Sequence, residues 1–299
     1  MYDCLVIGAG PGGLTAAIYC SRANLKVAVL EKMMPGGQVA NTYKIDNYPG
    51  VPEVSGVDLA LKMYDQALTL GVEYLPLEVT GIEKKQDAFF VKTNEQTLKA
   101  KTVIIATGTK NRKLHVEGED KFLGKGISFC AICDGSFYKD RDVLVVGGGN
   151  SALEESLYLS SIVRKVTIVN LADEPTAFQN IQEKVKKTKN IEVINSSQVI
   201  AFNGDEVLKE VEIKDLKTNK VTSLKVDGCF EYIGHIPNTD FLKDLGILND
   251  YGYIVVNENK ETKIKGLFGV GDVIDKEIRQ ITTATGDGTI AALNAAKYL

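Results

Sequence analysis

Cys130 and Cys133, in the stretch CAICDG (130–135), are the residues of this chain best suited to chemistry. A Cys-x-x-Cys spacing lets two sulfurs close a disulfide across one turn, so the pair reads first as a redox dithiol. Zinc is the rival chemistry, and a structural zinc takes four ligands. Cys4, Cys20, Cys229, His115 and His235 are scattered singly, with no second pair at metal spacing, so no metal is expected. The three lone cysteines read as small buried apolar residues. Asp134 follows the pair directly. Thiol–disulfide exchange needs a proton for the leaving thiolate, and a neighbouring carboxyl can carry it. Asp-Gly is equally a turn signal.

A dithiol needs a scaffold that supplies electrons, and the chain repeats one. CLVIGAGPGGLTAAIYCSRANLKVAVLEK (4–32) lies over VLVVGGGNSALEESLYLSSIVRKVTIVNL (143–171) at a constant offset of 139. Each copy reads strand, Gly-rich turn, helix, strand: one βαβ unit, twice. Two shorter apolar runs, TVIIATGT (102–109) and GLFGVGD (266–272), end at small residues like buried parallel strands. The expected fold is α/β, with two Rossmann-like, doubly wound, three-layer nucleotide-binding domains, the second inserted in the first. The expected boundaries are 1–112 with 241–299 for the outer domain, and 113–240 for the inserted one.

The first copy has the stronger ligand signal. Gly8, Gly10 and Gly13 form GxGxxG between a strand and a helix, letting backbone approach a pyrophosphate and aiming a helix N-terminus at it. Glu31 falls at the end of the second strand, where a carboxylate meets ribose hydroxyls. GGQ (36–38), NYPG (47–50), ATG (106–108), GD (271–272) and RQ (279–280) spread through both outer segments. A large cofactor with many contacts fits that spread, and FAD is the natural candidate, with Asp272 placed to meet a sugar-chain hydroxyl.

Charge and composition exclude other classes. A formal net charge of −4 offers no cationic surface for nucleic acid. No apolar run approaches the roughly 18–20 residues of a membrane span, so no membrane partner is expected. The N-terminus enters a strand without a basic leader, and an odd, irregular set of five cysteines is no disulfide framework. A cytoplasmic protein is expected.

The ordered series IGAGPGG (7–13), GGQ, NYPGVPE (47–53), ATG, CAICDG, GGGNSALEE (147–155), YIGHIPNT (232–239), GVGDV (269–273) and RQITTATGDGTIAA (279–292) resembles the low-molecular-weight flavin thioredoxin reductases nearly end to end. The resemblance implies a homodimer whose FAD domain is interrupted by a pyridine-nucleotide domain carrying the CxxC. It implies that Cys133 faces the flavin, Cys130 exchanges with thioredoxin and Asp134 handles the proton. For FAD it implies Gly8, Gly10, Pro11, Gly12, Gly13, Glu31, Lys32, Gly36, Gly37, Gln38, Asn47, Val79, Ala106, Thr107, Gly108, Gly271, Asp272, Arg279, Gln280 and Ile281.

One stretch departs from that family. Its NADPH-using members follow the second strand of the inserted domain with an HRR-type cluster and a further arginine, which clamp the 2′-phosphate. Here the aligned positions are Asn170, Leu171, Ala172 and Gln179, and Asp173 and Glu174 add repulsion. The position equivalent to Glu31 holds the neutral Asn170. This departure resembles the subgroup that takes electrons from reduced ferredoxin, and ferredoxin is therefore the expected donor. A thioredoxin reductase dependent on NADH, or less favourably on NADPH, and a flavin dithiol oxidase are the alternatives, although the oxidases tend to carry His where Asp134 stands.

Overall fold

The computed structural model describes residues 1–299 except Tyr43, Lys44 and Asp46, with all side chains but those of Asn41, Ile132 and Cys133. The chain divides into two compact units, Met1–Lys110 with Ile236–Leu299, and Asn111–His235. These changes of unit fall slightly before the expected 112/113 and 240/241.

In the first unit the strand Tyr2–Ile7 is central. It pairs in parallel with Val27–Leu30 on one side and Thr97–Ile105 on the other. Glu73–Leu75 extends the sheet beyond Val27–Leu30, and Leu267–Gly269 pairs with Val103–Ile105. The last four residues of Tyr2–Ile7 and all of Val27–Leu30 are buried. Both faces of this parallel sheet are covered, which is why its strands read as apolar runs without alternation. One face packs under the helices Pro11–Arg22, Gly56–Thr69 and Ile281–Tyr298. The other closes on Phe89, Val91, Leu242 and Ile254. Thr97–Ile105 serves two purposes: its first half also pairs antiparallel with Ala88–Thr93, which pairs with Val79–Lys85.

The second unit repeats the plan. Its parallel sheet runs Ile191–Ile194, Lys165–Val169, Asp142–Val146, Gly228–Glu231, Ile127–Ser128 in spatial order. An antiparallel sheet of Ser197–Gly204, Leu208–Asp215 and Val221–Lys225 supplies Val199, Phe202 and Val211 to a core shared with Leu144 and Val169. The fold class is thus the expected α/β one with two Rossmann-like parallel sheets. Among the described residues no helix is long and apolar enough to cross a membrane.

The second unit buries two carboxyls together. Glu119 accepts from the amides of Leu114 (2.9 Å) and His115 (2.6 Å), while Glu231 ends the strand Gly228–Glu231. Each is 2% exposed. Burial, then the Glu119 carboxyl, pushes Glu231 up to about 9 from 4.5. A pKa raised on folding contributes stability that is complete below the unfolded value and is lost as pH climbs toward the folded one. Glu231→Gln removes that loss. It is expected to raise the unfolding free energy by about 1–3 kcal/mol at pH 8 and to change it little at pH 4. Thermal unfolding at the two pH values tests this, and equal shifts at both would show that the buried carboxyl does not titrate on folding.

Candidate active site

In the first unit the loops at the carboxyl ends of the parallel strands meet backbone to backbone. Gly8 has φ +104°, and a Cβ there would stand 2.4 Å from the carbonyl oxygen of Ala106; a Cβ on Gly13 would stand 2.0 Å from that of Gly8. Only glycine allows either approach. The Gly36 amide donates to the Ala9 carbonyl at 2.8 Å, and Gly37 lies over Gly10. Gly12 faces Gly271. Gly8, Gly10, Gly12, Gly13, Gly36, Gly37, Ala106 and Gly271 are thereby brought together. Pro11 opens the helix Pro11–Arg22, whose N-terminus no side chain caps and whose first turn carries no acid. Nothing lies within 4 Å of where a Gly10 Cβ would be. An uncapped helix start beneath an open glycine is a cradle for a pyrophosphate.

Glu31 is oriented by backbone: its Oε2 accepts from Ala9 (2.9 Å) and its Oε1 from Met33 (3.0 Å). Gln38 donates to the Thr109 carbonyl (2.9 Å) and hydroxyl (2.7 Å). Asn47 donates to Gln280 at 3.3 Å, and Gln280 caps the helix Ile281–Tyr298. Arg279 stacks its guanidinium 4.6 Å from the Tyr253 ring centre. Lys32 pairs with Glu78 at 3.0 Å on the surface, and Val79 packs against the core below the sheet. Asp272 sits in a short 3-10 turn, Gly271–Val273, at the end of Leu267–Gly269.

Asn238 was not anticipated. Its carbonyl accepts from the Thr107 hydroxyl (2.8 Å), its amide donates to Gly108 (3.0 Å) and its Nδ2 to Thr107 (2.9 Å), fixing the Thr107–Gly108 turn. The signal was present in YIGHIPNT, yet nothing in sequence links residue 238 to residue 107.

In the second unit Cys130 is disulfide-bonded and Cys229 is buried and free, as are Cys4 and Cys20 in the first unit. The Cys133 side chain lies outside the described residues. The helical turn Ala131–Asp134 carries the pair, closed by the Asp134 amide on the Cys130 carbonyl at 3.1 Å. Ser128 organises this turn. Its hydroxyl donates to Asp134 Oδ2 at 2.6 Å and accepts from the Cys130 amide at 3.0 Å. The Ala131 amide donates to the Tyr232 hydroxyl at 2.7 Å. Tyr232 is raised by burial and by the Glu155 carboxylate, and burial pushes Glu155 itself up to about 7. A phenol that stays protonated keeps a proton to donate while it holds the turn that carries Cys130.

The second glycine turn has the same backbone contact and different cover. A Cβ on Gly147 would stand 2.3 Å from the Tyr232 carbonyl oxygen. Asn170 is 4% exposed and lays its Oδ1 against Gly148, with Nδ2 donating to Ala172 and to Asn195 at 2.9 Å each. The following loop folds back: Thr176 and Ala177 donate to the Gly148 carbonyl (2.8 and 3.1 Å), and Phe178 to Asn150 Oδ1 (2.7 Å). A cation does reach this loop. Lys217, from a turn far along the chain, pairs with Asp173 at 2.8 Å, and Asp173 also accepts from Ser196.

A pair of dinucleotide-type units, one with an open glycine cradle and one bearing a disulfide-bonded cysteine at a turn, is the architecture of a disulfide oxidoreductase. The chain belongs to the pyridine nucleotide-disulphide oxidoreductase family, whose model matches residues 2–288. Its cofactor is FAD, which the uncapped, glycine-lined cradle fits. It is 44% identical to a 34.2 kDa protein of the rubredoxin operon of Clostridium pasteurianum, over 99% of this chain and 97% of that protein. It is 43% identical to a thioredoxin reductase of Ureaplasma parvum, over 100% and 97%. Among solved structures, Lactococcus lactis thioredoxin reductase matches at 42% identity and TM-score 0.94, covering 100% and 99%. A ferredoxin-flavin thioredoxin reductase from Clostridium acetobutylicum matches at 28% and 0.55, covering 99% and 96%. The chains named thioredoxin reductase in Ureaplasma parvum and Lactococcus lactis thus match at higher identity than the ferredoxin-flavin thioredoxin reductase.

Tyr232→Phe leaves the Ala131 amide without its acceptor. It is expected to lower the unfolding free energy by about 1–3 kcal/mol, the penalty for a buried polar group left unpaired. Denaturant unfolding of the oxidised protein measures it, and no change would mean water replaces the hydroxyl.

Proposed function

We propose that this protein reduces the disulfide of thioredoxin through FAD and a Cys130–Cys133 dithiol, with reduced ferredoxin as the electron donor. The outer unit is the FAD-binding domain and the inserted unit carries the dithiol. FAD, when bound, takes up electrons singly or in pairs and delivers two to a disulfide. Reduction of the Cys130–Cys133 bond consumes two electrons and two protons. The Cys130 thiolate then attacks a thioredoxin sulfur, a mixed disulfide forms, and Cys133 releases the reduced partner. In this reading Asp134 moves the proton, and its hydrogen bond from Ser128, which also accepts from the Cys130 amide, supports that role. The kinship with thioredoxin reductases supports this activity, and association as a homodimer is part of the same proposal.

The observation that carries the donor assignment is the loop after Val169. Its approaching cation, Lys217, is engaged by Asp173, and its start is pinned by Asn170 against Gly148. A 2′-phosphate meets a carboxylate there instead of an arginine clamp. Lys110 and Lys113 are engaged by Asp240 and Asp120, while Arg112 and Lys184, Lys186 and Lys187 of the helix Gln179–Lys187 are offered as the basic surface for an acidic carrier.

Anaerobic absorbance of the flavin, on separate addition of NADPH, NADH and reduced ferredoxin, tests the donor. Bleaching by ferredoxin with onward reduction of thioredoxin, and none by either nucleotide, is expected. Rapid bleaching by NADH or NADPH overturns the ferredoxin assignment while leaving the reductase intact. Cys130→Ser is expected to keep FAD bound and abolish thioredoxin reduction; retained turnover would remove the dithiol from the reaction.

A further inference from the structure

A buried charge cluster lies behind the Gly271–Asp272 turn, and neither the glycine motifs nor the dithiol uses it. Asp287, on the helix Ile281–Tyr298, is 6% exposed. Its Oδ1 meets Lys260 Nζ at 2.9 Å and its Oδ2 meets Lys276 Nζ at 2.8 Å. The same Oδ2 accepts from the Gly271 amide at 3.2 Å. Lys276 reaches further, to the Thr283 hydroxyl at 3.2 Å and to Asp272 Oδ1 at 4.0 Å. Both lysine side chains are largely buried, at 20% and 14% exposure. The carboxylate thus ties the turn, the segment leaving it and the helix that covers it. The neighbouring Gly288 packs on the carbonyl of Gly12, so the same helix turn also touches the first glycine loop.

Lys260 makes the cluster look selected for its charge. Its backbone has φ +62°, a left-handed conformation that costs a residue with a Cβ about 1–2 kcal/mol and that glycine or asparagine adopts more cheaply. A long cation stands there and delivers its ammonium to Asp287. Burying two ammonium groups and a carboxylate is expensive unless the geometry is good and the remaining lone pairs are used. Here both Asp287 oxygens are used, by two cations and one amide.

We propose that Asp287, with Lys276 and Lys260, positions the Gly271–Asp272 turn for FAD, Lys276 being the arm that acts on Asp272 itself. The proposal rests on the reading of that turn as part of the FAD site. Asp287 and the two lysines are positioning residues: they hold the turn and need not touch the cofactor. The arrangement makes an ordered forecast. Lys276 contacts both Asp287 and Asp272, whereas Lys260 contacts Asp287 alone among the acids described, so removing the two cations must not be equivalent for the cofactor even where it is similar for the fold.

The test compares Lys276→Met, Lys260→Met, Lys276→Arg and Asp272→Asn in the full-length protein. FAD affinity is read by flavin fluorescence on reconstitution of the apoprotein, and the flavin midpoint potential is read by spectroelectrochemistry. Thermal unfolding of the apoprotein reports the fold. Lys276→Met is expected to weaken FAD binding by about tenfold or more, the loss of one charge-assisted contact. It should also shift the potential to more negative values, because a cation near the site is gone. Lys260→Met should change affinity by less than about threefold, and Lys276→Arg should retain most of the wild-type affinity. If Lys276→Met and Lys260→Met lower apoprotein stability alike and leave FAD affinity and potential unchanged, the cluster is structural and the proposal fails. Should Asp272→Asn also leave affinity unchanged, the assignment of the turn to the FAD site fails with it. If Asp272→Asn weakens binding and Lys276→Met does not, the positioning role alone is overturned. Where Lys276→Met does not fold, Lys276→Gln read in the same assays decides in its place.

Discussion

Both units of this protein depend on one steric constraint, the contact between the first glycine of each turn and the end of a neighbouring strand. A Cβ on Gly8 would stand 2.4 Å from the Ala106 carbonyl, and a Cβ on Gly147 2.3 Å from that of Tyr232. The two contacts are equivalent: each turn docks on the residue that follows the adjacent parallel strand of its sheet. That docking sets how closely the helices Pro11–Arg22 and Asn150–Ser160 lie on their sheets. It also aims each helix N-terminus over the strand ends, where open α/β sheets bind ligands. In the second unit the docked residue is Tyr232, whose hydroxyl holds the amide after Cys130. The turn that packs the fold and the group that orders the disulfide are thus anchored on one residue.

The same constraint explains how a turn can be kept when its use changes. Helix–strand packing alone requires glycine at residue 147, whether or not a nucleotide binds there. What differs is the use of the surrounding polar groups. Both helix starts are left uncapped, and in the first unit Glu31 accepts from the turn at Ala9. In the second, Asn170 fills the space above Gly148 and the next loop donates two amides to the Gly148 carbonyl. Both turns keep an open second glycine, Gly10 and Gly149; the polar groups around them differ.

That division also marks what the sequence made legible. The repeat at offset 139, the parallel strands as unbroken apolar runs and the convergence of the glycines were readable because each is a local pattern with a steric cause. The antiparallel sheets at Val79–Thr93 and Ser197–Lys225 were not foreseen, since their strands alternate weakly and carry many charged residues. Contacts between distant residues were the least legible. Lys217 meets Asp173, Asn238 fixes Thr107, and Lys260 meets Asp287, and none leaves a periodic trace in the chain. The stretch 166–179 contains no cation after all, but the space around it does.

On the proposed donor reading Lys217 is a weak substitute for a phosphate clamp, on grounds of magnitude. A charge-assisted hydrogen bond contributes about 1.5–3 kcal/mol, so each arginine absent from such a clamp withdraws about that much from a 2′-phosphate, roughly 10- to 10²-fold in affinity. Lys217 is a single cation with a 64% exposed side chain, and its carboxylate partner pairs with it at 2.8 Å. An exposed pair of this kind contributes little to stability, so breaking it is cheap. Breaking it, however, leaves Asp173 beside the incoming phosphate, and the repulsion offsets what the lysine supplies. NADH carries no such phosphate and forfeits none of this. On the proposed donor reading, the carboxylates of this loop oppose the 2′-phosphate that NADPH carries and NADH lacks.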